Sequence, residues 1–235
     1  MLKACTSYLR ERGFLFELRV VNRKFAQSIL TQLRDRNTSQ IDFRKGLVRL
    51  GRILGLEIIE DYEAEEVEVT TPLNAKYRGI RIKDLDNTII ITILRAASPL
   101  TEGLIKIFYN AKQGVVAARR VEERGMRNWE FEVEISYIKT PKISSESIII
   151  ISDVMVATGS TIVRVLKELI ERGKAKKYYI ASVITTPLAI ERIKRACSEL
   201  GIPLKMYTVA VDPEVNDKGY IVPGLGDAGD RAFGS

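Results

Sequence analysis

The chain has 235 residues, 46% hydrophobic and 29% charged, with 37 basic and 30 acidic side chains and a net charge of +7. That length and composition fit one sizeable globular core, and no apolar run reaches the roughly 18–20 residues that span a bilayer. The absence of histidine, with only two cysteines, excludes imidazole bases, His-ligated metals, a structural zinc site and a disulfide framework.

Residues 1–21 mix charges with apolar side chains and have no clean apolar stretch, so a secretory leader is not expected. Residues 25–36 (Phe25, Ile29, Leu30, Leu33) and 40–54 (Ile41, Leu47, Val48, Leu50, Ile53, Leu54) repeat at helical spacing, with Gly55 closing the second helix. Alternation near 65–82 reads as a small β-ribbon. Beyond it, buried strands at 88–94, 114–118, 147–151, 178–184 and 205–211 alternate with helices at about 100–109, 161–172 and 187–200. That order predicts an α/β fold, a mostly parallel twisted sheet flanked by helices. Residues 128–138 alternate Trp129, Phe131, Val133, Ile135 and Tyr137 with polar side chains. Period two marks a half-buried β-arm, expected to protrude and cover a second copy in a homo-oligomer, dimer or tetramer. Thr186-Pro187 is a cap and first-turn pair. Cys197 shares a helical stripe with Leu188, Ile193 and Leu200 and reads as a reduced core thiol, which places the chain in the cytoplasm.

The densest signal is IIIISDVMVATGST, residues 148–161. Ile148 to Ile151 read as a strand buried on both faces. From Thr161 the period becomes helical through Ile162, Val163, Leu166, Leu169 and Ile170, and Gly173 is the stop. Between them lies a turn of small and hydroxylated residues. Its backbone N–H groups at a helix N-terminus suit a phosphate monoester. Asp153, expected just past the strand's end, could meet a sugar diol or a metal ion. Any βα connection needs small residues, and neither GxxxxGK[ST] nor GxGxxG is present, so the turn alone decides nothing.

The order strand, Asp, small residues, Thr-Gly-Ser-Thr resembles the signature of type I phosphoribosyltransferases, which bind 5-phosphoribosyl 1-diphosphate (PRPP). The resemblance implies that Asp153 meets the ribose hydroxyls. It also implies that Val154, Met155, Val156, Ala157, Thr158, Gly159, Ser160 and Thr161 bind PRPP, the Thr158–Thr161 turn wrapping the 5′-phosphate. Val154 stands where the family often has Pro, and Ser152-Asp153 supplies one acidic residue where purine-type relatives have two.

The segment YIVPGLGDAGDRAFG, residues 220–234, is similar to the terminal signature of uracil phosphoribosyltransferases. By that resemblance Ile221, Gly226, Asp227 and Ala228 hold uracil, and Asp227 also touches PRPP. Its glycines let main-chain groups approach a planar base. Arg95, after the 88–94 strand, and Arg120, after the 114–118 strand, match the family's diphosphate-contacting positions, with Arg119 the weaker choice. Both lie at carboxyl ends of strands, where open α/β sheets place ligands. The resemblance covers about residues 20–235. It makes 1–235 one phosphoribosyltransferase domain, with about residues 1–20 an extension outside the core.

The implied reaction is uracil plus PRPP to UMP and diphosphate, with catalysis on Asp153, Arg95 and Arg120. Mg²⁺ arrives with PRPP, and no protein side chain ligates it directly. Lys45, Gly46, Leu47, Val48 and Arg49 resemble a segment linked to GTP activation. Residues 102–111 (Glu102, Gly103, Leu104, Ile105, Lys106, Ile107, Phe108, Tyr109, Asn110, Ala111), with Gly234, resemble one linked to CTP inhibition. Ordinary amphipathic helix accounts for both segments equally well. The basic residues are dispersed, which points to steering of a small polyanion. An RNA-binding regulator on the same scaffold is the alternative from another class; no nucleic-acid or membrane partner is expected.

Overall fold

The most aliphatic stretch of the chain lies in the middle of its largest sheet. The computed structural model describes residues 15–121, 125–126 and 129–234; residues 1–13, with Cys5, lie outside them. The strands are β1 (Phe16–Val20), β2 (Ala64–Thr70), β3 (Lys76–Ile82), β4 (Thr88–Leu94), β5 (Lys112–Arg120), β6 (Val133–Lys139), β7 (Ile148–Val156), β8 (Lys177–Thr185), β9 (Leu204–Val211), β10 (Glu214–Val215) and β11 (Ile221–Val222). The helices are α1 (Lys24–Arg34), α2 (Gln40–Ile59), α3 (Ser98–Leu104), α4 (Ser160–Arg172), α5 (Pro187–Leu200) and α6 (Ala228–Phe233).

The main sheet has the order β1-β9-β8-β7-β4-β5-β6, and only β6 runs antiparallel to its neighbour. A parallel sheet has to be covered on both faces, and β7 divides its isoleucines accordingly. Ile148 and Ile150 pack with α1, α2, α3 and α6 through Leu33, Leu47, Leu54, Leu100 and Ala232. Ile149 and Ile151 pack on the other face against Ile162, Leu166 and Leu169 of α4 and Ile193 and Cys197 of α5. Gly173 ends α4, and the Thr186 hydroxyl accepts a hydrogen bond from Ala189 N–H, capping α5.

Several expectations need correction. Residues 16–20 belong to the sheet: β1 pairs with β9 from Phe16↔Leu204 to Val20↔Thr208. An edge strand carrying Glu17 and Arg19 has no continuous apolar run to reveal it. Gly55 does not close α2, which continues to Ile59, burying Ile58 and Glu57. The Arg23 guanidinium meets that Glu57 carboxylate. Glycines in α2 instead permit close packing. A Cβ at Gly55 would lie 2.9 Å from Ile107, and one at Gly51 would lie 2.1 Å from the Leu100 carbonyl. Phe25 and Ile41, counted as apolar helix face, are exposed. The helix expected over 100–109 is α3, which gives way to turns after Leu104.

Of the stretch expected as a β-arm, residue 128 lies outside the described residues. From Val133 the stretch is the antiparallel edge of the main sheet, and a register shift between Ala117 and Ala118 leaves Tyr137 exposed while Ile138 packs inward. The feature that does stand apart is the β2–β3 ribbon, which has its own two-stranded sheet. Leu73 at its turn is 90% exposed and Ile80 72%.

Candidate active site

In the parallel sheet, β4, β5 and β7 all end at one edge. Arg120, Asp153, Met155, Val156, Ala157, Thr158, Gly159, Thr161 and Ile162 line a small cavity there. Asp153 is inside β7, contrary to expectation, because the ladder to β8 continues through Asp153↔Ser182 to Val156↔Thr185. The carboxylate is therefore held by a strand in mid-sheet. Burial pushes its pKa up to about 7, with Arg120 and the Met155 and Val154 N–H groups opposing the rise. Val154 is fully buried in the core below α2 and does not line the cavity.

Gly159 caps α4 at φ +79°, and a Cβ there would meet the Ala189 carbonyl of α5 at 3.2 Å. Both the left-handed backbone and the nearby helix demand glycine. Thr158 and Ser160 turn inward, their hydroxyls 2.9 Å apart and almost fully buried. The first N–H groups of α4 have no intrahelical partner and carry the positive end of the helix dipole. Arg192 of α5 donates to the Thr158 carbonyl and lies 3.3 Å from Ser160 Oγ. The cationic group behind the turn was not anticipated, because nothing around residue 192 shows that α5 returns to this edge.

The two adjacent arginines diverge. Arg119 pairs with Glu134 on β6 at 2.6 Å, whereas Arg120 lines the cavity. Arg120 also donates to the Gly219 carbonyl at 3.1 Å and packs 5.1 Å from the Phe131 ring. Through it, β5 joins the start of the C-terminal segment. Arg95 follows β4 across a cis Leu94–Arg95 bond and pairs with Asp230 of α6 at 3.3 Å. Asp227 caps α6, its carboxylate accepting from Asp230 N–H at 2.9 Å. Ile221, Leu225 and Ala228 are buried in the same cluster as Ala157 and Val154. Thus the 157–161 turn and the 221–228 loop share one edge of the sheet. Neither Arg95 nor the 221–228 loop lines the cavity.

The segments resembling effector sites come together elsewhere, where α2 meets α3 and the end of α6. Arg44, Lys45, Arg49, Arg52, Glu102 and Phe233 border a groove of about 560 Å³ there, with Val48 also in its wall. Gly46, Leu47, Gly103, Leu104 and Phe108 are buried and serve packing instead. A Cβ at Gly46 would lie 2.6 Å from Leu33, and one at Gly103 would lie 2.2 Å from the Val48 carbonyl.

Comparison with known proteins gives a family match over most of the chain. The family model described as uracil phosphoribosyltransferase matches residues 20–235. A Metallosphaera sedula protein named uracil phosphoribosyltransferase is 53% identical over 207 residues, covering 88% of this chain and 94% of its own. One of the same name from Thermococcus gammatolerans is 51% identical over 211 residues, covering 90% of each. A solved structure of an Aquifex aeolicus protein superposes with a TM-score of 0.80 at 30% identity, covering 92% of this chain and 98% of that one.

Proposed function

Since this chain belongs to the uracil phosphoribosyltransferase family, we propose that it joins uracil N1 to the anomeric carbon of PRPP, releasing diphosphate and forming UMP. The observation that carries this reading is the gathering of Asp153, Arg120 and the 157–161 turn in one cavity, with the C-terminal loop tied to that edge through Arg120 and Arg95.

Breaking the anomeric C–O bond leaves positive charge on the ribose and negative charge on the diphosphate. The residues therefore have to fix geometry and meet charge. The 157–161 turn holds the 5′-phosphate by its N–H groups, and Arg192 keeps that backbone in place. Asp153, once ionised, accepts from the ribose hydroxyls. Arg120 and Arg95 face the departing diphosphate. Main-chain groups of Ile221 and Gly226 to Ala228 read the edge of the base, and Asp227 reaches toward PRPP. The donor set fits Mg²⁺ brought in on diphosphate oxygens, since the lone carboxylate lining the cavity is that of Asp153. When bound, Mg²⁺ neutralises the leaving group.

The reading extends to regulation and assembly. GTP and CTP are proposed to act at the α2–α3 groove, supported by its four cationic side chains beside Phe233. Self-association into a dimer or tetramer is supported by the exposed apolar side chains of the β2–β3 ribbon. A cytoplasmic location is supported by Cys197, a free, buried thiol whose pKa burial raises to about 12.

The test is incubation of the purified chain with labelled uracil, PRPP and Mg²⁺. Labelled UMP is expected; none from a folded, PRPP-binding protein would overturn the reading.

A further inference from the structure

Reading a base with main-chain atoms requires a still backbone, yet the C-terminal loop is made of residues that hold themselves poorly. Gly224 and Gly226 both have left-handed backbones, at φ +60° and +72°. The loop lies between a two-residue strand, β11, and the short helix α6. Its rigidity has to come from outside.

An ion pair distant in sequence supplies it. Arg34, the last residue of α1, donates to both carboxylate oxygens of Asp212, at 2.9 and 2.6 Å. Asp212 lies just beyond β9 and is only 4% exposed. The same two side chains take both polar backbone atoms of Gly224: its N–H donates to Asp212 at 2.9 Å, and its carbonyl accepts from Arg34 at 2.9 Å. One residue later, Arg231 donates to the Leu225 carbonyl at 2.9 Å while also capping Leu33 and Asp35 at the end of α1. Gly224 cannot relax by gaining a side chain, because a Cβ would lie 2.1 Å from the Ile221 carbonyl.

Buried ion pairs are weak devices for stability, since apolar replacements of equal volume are often neutral or stabilising. Their advantage here is directional: a fork and a carboxylate fix an orientation that apolar packing does not. We infer that Arg34 and Asp212 are positioning residues for the base: they lock Gly224 and thereby set the register of the Gly226–Ala228 backbone against the pyrimidine edge. This rests on the proposed role of the 221–228 loop. Neither residue lines the PRPP cavity, so the clamp acts on uracil and spares PRPP.

The experiment is steady-state kinetics of Arg34→Lys and Asp212→Asn beside the wild type, varying uracil at saturating PRPP and then the reverse. Lysine keeps the charge without the fork, and asparagine keeps an acceptor for Gly224 N–H without the charge. KM for uracil should rise about tenfold while KM for PRPP stays within about twofold. The rate with cytosine relative to uracil should rise by about the same factor, since a looser loop discriminates less. If a single variant does not fold, Arg34→Met/Asp212→Leu, which leaves no lone buried charge, carries the test. Unchanged uracil KM in a folded variant, or equal shifts in both KM values, overturns the inference. A wild type that makes no UMP defeats the parent reading instead, so the two failures are distinguishable.

Discussion

Replacing Asp153 by asparagine should raise the stability of the ligand-free protein and abolish its use of PRPP, with both effects depending on pH. Burial pushes the carboxyl up to about 7 in the fold, from the ordinary aspartate value of about 4. Between those values the native state keeps a proton that the unfolded chain has released. Asp153 therefore withdraws stability as pH rises from about 4 to 7, and the loss is complete above 7. At 1.36 kcal/mol per pKa unit the ceiling is about 4 kcal/mol. Asp153 keeps some contact with solvent, so the effect should fall short of that ceiling. Urea denaturation of both proteins from pH 5 to 8.5 measures it. The stability of Asp153→Asn relative to wild type should grow with pH and level off above 7. In parallel, kcat/KM for PRPP in the wild type should rise through pH 7 as the Asp153 carboxylate, proposed to hold the ribose hydroxyls, ionises. A stability gap independent of pH, or a wild type more stable than the variant at pH 8, would refute the reasoning.

The other predictions address separate parts of the site and scaffold. Arg95→Ala removes the cation proposed to meet the diphosphate and should lower kcat/KM for PRPP by about 10²–10³, measured by initial rates. Gly226→Val forces a β-branched residue into φ +72° and should raise KM for uracil far more than KM for PRPP in the same assay. Gly51→Ala drives a Cβ to 2.1 Å from the Leu100 carbonyl and should destabilise by about 3 kcal/mol in urea unfolding. If the α2–α3 groove takes nucleotides, Arg49→Ala should weaken the response of the rate to GTP about tenfold with unchanged activity in its absence.

What could be read before the structure, and what could not, follows from how local each signal is. Ile148 to Ile151, the small-residue turn and the apolar stripe from Ile162 form one contiguous strand–turn–helix unit, so its fold was legible. Asp153 was misplaced by one detail: a strand can continue through a carboxylate when a neighbour such as β8 extends alongside. Gly55 looked like a helix stop because its partner, Ile107, is distant in sequence. The β1 strand was hidden by Glu17 and Arg19, which an edge tolerates. Arg192, Arg34 and Asp212 carry no motif. Each serves the site by crossing from one element to another, and only the topology brings them there.

The central claim is that one sheet edge joins a phosphorylated sugar to uracil. It is tested most directly by diphosphate release from PRPP and Mg²⁺ with uracil, cytosine, orotate or hypoxanthine added singly. The account predicts release with uracil, little with the other bases, and none without a base. Equal release with every base, or release from PRPP alone, would contradict it.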